Sequence, residues 1–121
     1  MLDSQNFSVY AGNYTEVTID IDPDDEIELV GSTIEFKVYP QEFGQPVADE
    51  DPVITKDNGV DGTVVVVDPD EQTLKVPLEY ADTVGLLRNY YHETTVTDGD
   101  GNPVTVAHGI MTVLGTENRT A

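Results

Sequence analysis

The chain has 121 residues, no cysteine, and 24 Asp plus Glu against 5 Lys plus Arg, for a formal net charge of −19. That length fits one domain, 1–121, able to bury roughly two-thirds of its unfolded surface without staples, and the missing thiols exclude disulfides, zinc–thiolate centres and cysteine nucleophiles. The sign of the charge argues against nucleic acid as a partner, and no segment approaches the roughly 20 apolar residues of a membrane span.

Residues 1–6 read as a lead-in with no basic, apolar export pattern, so a soluble chain is expected. Residues 7–10 form a short first strand that ends at Ala11-Gly12-Asn13. Residues 14–21 form a second, with Val17, Ile19 and Ile21 toward a core and Glu16, Thr18 and Asp20 toward water. Asp22-Pro23-Asp24-Asp25-Glu26 turns the chain, since Pro23 cannot continue a central ladder and the acids repel one another outside solvent. Residues 32–39 give the cleanest alternation, with Ile34, Phe36 and Val38 in and Thr33, Glu35 and Lys37 out. Residues 40–57 carry Pro40, Gly44, Pro46 and Pro52 and read as a long loop with one short strand at Val53-Ile54.

Residues 63–67 are nearly all valine, the pattern of a strand covered on both faces. With Leu74 and Val76 inward on residues 73–77, the segment 63–77 is expected to be a hairpin. Residues 78–87 are the helical candidate, through Tyr80, Val84 and Leu87 at i, i+4, i+7, and one or two turns are expected to pack over an open end of a sandwich. The last hairpin organises the chain. Tyr90, His92, Thr94 and Val96 share one face and Tyr91, Glu93, Thr95 and Thr97 the other, before the turn Asp98-Gly99-Asp100-Gly101-Asn102-Pro103. On the return arm Val104 and Val106 hold one phase and Met111 and Val113 the opposite one, which places a phase-shifting bulge at Gly109. The even phase of Ile110, Thr112 and Leu114 stands open as an alternative, and 115–121 read as a tail.

The acids are spread through every loop and lysine is limited to Lys37, Lys56 and Lys75, a composition suited to concentrated salt. At about 1 M the screening length is roughly 3 Å and carboxylates cease to repel across a surface, whereas at about 0.01 M it is roughly 30 Å.

Signs of chemistry are sparse. Asp98, Asp100 and Asn102 have the spacing of the first ligands of a calcium loop, but Pro103 stands where that loop needs glycine and Gly109 where it needs glutamate. A hairpin turn is expected there; a looser calcium site would use Asp98 and Asp100, or Asp68 and Asp70, and no other cofactor is indicated. His92 and His108 lie on arms of one hairpin, placed to face each other, and would need a third ligand to hold zinc. Ser4, Ser8 and Ser32 have no nucleophile-elbow context, so no enzyme is expected. Asn13-Tyr14-Thr15 and Asn118-Arg119-Thr120 fit the glycosylation pattern. Tyr39 and Tyr91 on water-facing strand positions, and Phe43 in the long loop, are the interface candidates.

The ordered set of a Gly31-Ser32-Thr33-Ile34 strand opening, a Gly62-Thr63-Val64-Val65-Val66 strand, a short Ala81-Asp82-Thr83 helix, a Tyr90-Tyr91 strand ending Val96-Thr97-Asp98, a Gly99-Asp100-Gly101-Asn102 turn and a closing Met111-Thr112-Val113-Leu114 strand resembles small Ig-like proteins of tailed-virus particles, such as the N-terminal domains of siphophage baseplate upper proteins. Where those relatives often carry Pro-Gly before the Tyr-Tyr strand, this chain has Leu87-Arg88-Asn89. The resemblance implies an all-β, Ig-like antiparallel β-sandwich with one short helix, located in the virion. It would dock on other virion structural proteins at the capsid, neck or baseplate, as a homo-oligomer and away from membrane. Together with the acidity it implies a tailed virus of a salt-loving, haloarchaeal host. An adhesion or carbohydrate-binding module using the loop 40–57 is the alternative.

Overall fold

The computed structural model describes residues 3–21, 31–42, 45–46, 51–59, 65–68, 72–86 and 88–115. Its strands are β1 (Asp3–Ser4), β2 (Phe7–Tyr10), β3 (Thr15–Asp20), β4 (Thr33–Glu42), β5 (Gln45–Pro46), β6 (Ile54–Asp57), β7 (Val65–Asp68), β8 (Thr73–Leu78), β9 (Arg88–Thr97) and β10 (Pro103–Leu114), with one helical turn, α1 (Tyr80–Thr83), before β9. Two sheets result. The larger runs β10-β9-β4, with β1 and β2 on the β10 edge and β5 and β6 on the β4 edge; the smaller is β3-β8-β7. Apart from the parallel pairing of β1 and β2 with β10, every ladder among the described residues is antiparallel. This is the immunoglobulin strand order, B-E-D against G-F-C, with the first strand moved onto the edge of G.

Period-two burial makes the sandwich. Ile34, Phe36 and Val38 on β4, Leu74, Val76 and Leu78 on β8, and Val17, Ile19 and Ile21 on and just after β3 close into one core cluster with Val96, Val106, Met111 and Val113. Their alternate neighbours face out because successive residues of an extended chain point to opposite sides. Gln5 ties the two sheets at one edge: its side-chain amide donates to the Asp20 carbonyl, and its Oε1 accepts the Asp20 N–H at 3.1 Å. Asn58 fastens the start of β4, accepting the Ile34 N–H at 2.8 Å and donating to the Ser32 carbonyl at 2.9 Å.

Several expectations are corrected. The bulge on β10 lies at Val106, between Thr105 and Ala107, so the odd phase is buried beyond it and Gly109 is paired in register with His92. Gly109 answers a different need. A Cβ there would strike the Gln5 carbonyl group, lying 2.6 Å from its carbon and 2.9 Å from Asn6 Oδ1, so the residue admits the neighbouring strand. The lead-in is not free of structure, since Asp3 and Ser4 pair with Ala107 and His108. The segment 40–57 is less of a loop than expected, because β4 continues through Pro40 and pairs with β5, and the following strand starts at Ile54 and runs to Asp57.

The helix is a single turn whose expected apolar face is wet, with Tyr80 and Val84 exposed and Thr83 buried. Polar groups hold it: the Thr83 hydroxyl accepts the Gly12 N–H at 2.8 Å, and Asp82 meets Lys56 Nζ at 2.8 Å. The hairpin of β7 and β8 forms as expected. The two-sided burial expected of residues 63–67, the turn at 22–26, Leu87, Asn118 and the tail from residue 116 lie outside what the structure describes.

Candidate docking face

The outward side of the larger sheet collects the aromatic residues that the sequence marks as water-facing. Tyr39 on β4 stands directly opposite Tyr91 on β9, and Tyr91 opposite Ile110 on β10. All three are half-buried, so each shelters its neighbours without entering the core. The His108 ring lies 6.1 Å from that of Tyr91 at 34°. The next row is Lys37, Glu93 and His108, and the next pairs Glu35 with Thr95. Lys37 Nζ is 3.9 Å from Glu35 Oε2, and the Thr112 hydroxyl donates to Asn89 Oδ1 at 2.8 Å. Partial burial, then the charge of Glu93 and the neighbouring Tyr39, push the Tyr91 hydroxyl above its ordinary value, so it stays a neutral donor and acceptor. On a chain of charge −19 this is a Tyr-Tyr-Ile band with Lys37, Glu93 and His108 along one side and the Thr112–Asn89 pair along the other, an aromatic centre with a polar rim that favours contact with another surface.

Tyr39 and Tyr91 are thus brought together, while Phe43 lies outside the described residues. Ile110 and His108 join the band unannounced. Their parity depends on where β10 slips by one residue, and the valines on either side of the slip fit several positions.

The two histidines do not face each other. His92 points into the core and His108 outward, because His92 is opposite Gly109 and His108 is opposite Glu93. The His92 ring is fully buried, 4.8 Å from the Phe7 ring and 5.8 Å from that of Phe36, with Nε2 against the Gln5 carbonyl oxygen. Its Nδ1 and the Thr94 hydroxyl are buried without a hydrogen-bond partner.

The Asp98 carboxylate is folded into its own turn. Its Oδ1 accepts the Asp100 N–H at 2.9 Å and the Asn102 N–H at 3.0 Å, and these bonds, the Asn102 one foremost, hold its pKa below the ordinary value. Among the described residues no three His, Cys, Asp or Glu side chains gather as a metal would require, and no helix is long and apolar enough to cross a membrane.

The strand order and the dry interior between the sheets define the chain as an Ig-like β-sandwich. No family model and no curated protein matches it. Among solved structures it is similar to the fibronectin(III)-like modules of Clostridium thermocellum CbhA, at 11% identity over 94% of this chain and 92% of that one, TM-score 0.47. It is also similar to the PmoD soluble domain from Methylocystis sp., at 12% identity over 88% and 77%, TM-score 0.49. CopC from Methylosinus trichosporium shows 15% identity over 95% and 89%, TM-score 0.44. The class rests on the strand order and not on these likenesses.

Proposed function

We propose that this chain is a non-enzymatic docking module: a structural accessory protein of a tailed-virus particle, attached in several copies to the capsid, neck or baseplate through the outward face of its larger sheet. The observation that carries the reading is the cross-strand row Tyr39, Tyr91 and Ile110, a neutral band on an acidic protein. The acidity supports a salt-loving host, where such a surface is screened and an apolar band supplies the attraction. Particles purified in molar salt should carry the wild-type chain. A Tyr39→Ser/Tyr91→Ser double variant of unchanged circular dichroism should fall to the unbound fraction, with a loss of about tenfold or more in occupancy if the tyrosines are anchors. Equal occupancy of particles by the two proteins would remove this face from the proposal.

A carbohydrate-binding role is favoured by one observation, the adjacent Tyr91 and His108 rings on the outward strand surface. Specific glycan-array hits that vanish in the same double variant, with no binding to particles, would establish that reading instead.

A further inference from the structure

The segment from Asp3 to Tyr10 lies in a seat shaped for it. It keeps one parallel register along β10, from Asp3 opposite Ala107 to Tyr10 opposite Leu114. The Gln5 N–H donates to the His108 carbonyl at 2.7 Å, and the Ile110 N–H donates to Asn6 Oδ1 at 2.8 Å. The Gln5 side chain spans both backbone groups of Asp20, the Gln5 backbone carbonyl oxygen meets His92 Nε2, and Gly109 leaves the space that the Gln5 backbone fills. Phe7 then lies against His92, and Val9 is buried at 3% exposure.

These bonds all run outward, to β3, β9 or β10. Residues 11–14 alone connect the segment to β3, by a return that needs the positive φ of Gly12. The same segment from another molecule would make the same bonds, so transfer between molecules changes few contacts and is governed by concentration, hinge strain and charge repulsion. A different strand would not serve. Without a Gln followed by an Asn, both backbone groups of Asp20 and the Ile110 N–H would lose these partners.

We propose that the β10 edge is also an intermolecular docking site, and that its occupant in trans is the Gln5-Asn6-Phe7 strand of a second copy of this chain. Strand exchange of this kind would link copies without a new interface, and it does not depend on the particle role proposed above.

The absence of native cysteine allows a direct test. Ser8 and Thr112 are register partners at outward positions. The double variant Ser8→Cys/Thr112→Cys should be joined within one chain by a short bismaleimide, which verifies the resident seat. Single variants Ser8→Cys and Thr112→Cys, mixed and incubated in molar KCl, should then give a cross-linked heterodimer several-fold more abundant than a mixture of Ser8→Cys with Thr55→Cys, whose thiol sits on β6 at the opposite edge. A heterodimer no stronger than that control overturns the proposal. Adding Gln5→Ala to the Ser8→Cys chain should remove the excess while the acceptor chain stays intact, and an undiminished excess would overturn the assigned recognition.

Discussion

His92 is the residue on which burial and titration meet. The Gln5 carbonyl can only accept, so the neutral ring carries its proton on Nε2 and leaves Nδ1 as a bare acceptor in the core. Burial pushes its pKa below the ordinary 6.5; the contact with Gln5 opposes this, and the charge of His108 adds to it. The unfolded chain therefore binds the proton more readily. The stabilisation of the neutral ring is full above about pH 6.5 and is lost as pH falls from there toward the folded value. Denaturant titrations between pH 8 and pH 5 should show this decline, and His92→Phe should lack it. Arg88 offers a prediction of the opposite sign. Its φ of 94° lies where a side chain is strained by about 1–3 kcal/mol. Glycine would relieve the strain at about 0.5–1 kcal/mol of added chain entropy. Arg88→Gly should therefore stabilise by roughly 1 kcal/mol and raise the thermal midpoint by about 4 °C.

At the scale of elements, α1 is held by polar contacts where the sequence suggests an apolar stripe. Asp82 Oδ2 accepts the Glu79 N–H at 2.7 Å and pairs with Lys56, whose side chain is 11% exposed. Lys56→Ala should cost about 2 kcal/mol by leaving a sheltered carboxylate without its cation, and the loss should persist in molar salt. Lys75→Ala removes a pair with Glu16 in which both side chains are over 40% exposed, and should cost under about 0.5 kcal/mol. The contrast indicates what sequence can reveal. β3, β4, β8 and β9 were legible because each keeps strict alternation between a dry and a wet side. The fate of α1 was not, because Tyr80 and Val84 hold helical spacing whether or not a surface exists to receive them. On β10 the opposite phases of Val104 and Met111 announced a slip, but its place at Val106 and the close approach at Gly109 were hidden, since both are set by the neighbouring strand. For the docking face, parity identified Tyr39 and Tyr91, whereas only the strand register could make them opposite neighbours.

For the molecule as a whole, the stabilising interior is apolar and the opposing term is the charge. A compact chain of this length has a radius of gyration near 14 Å, which is shorter than the screening length of roughly 30 Å at about 0.01 M salt and several times that of roughly 3 Å at about 1 M. In dilute buffer each carboxylate is therefore repelled by those on every side, while in molar salt it interacts only with adjacent ones. The pair Lys75 and Glu16 weakens as salt is added, but its loss is small beside the relief of 24 acids set against 5 basic side chains. The thermal midpoint should rise as KCl increases from about 0.01 M to about 1 M and the screening length shortens, and a further rise beyond that range would come from strengthened apolar burial. Asp51→Lys and Asp100→Lys together, both at exposed positions, reduce the magnitude of the −19 charge by two units at each site and should flatten the lower part of that curve while leaving the upper part unchanged. A wild-type midpoint that is the same in dilute and molar salt would show that self-repulsion does not limit this fold, and would remove the acidity as support for a salt-loving host.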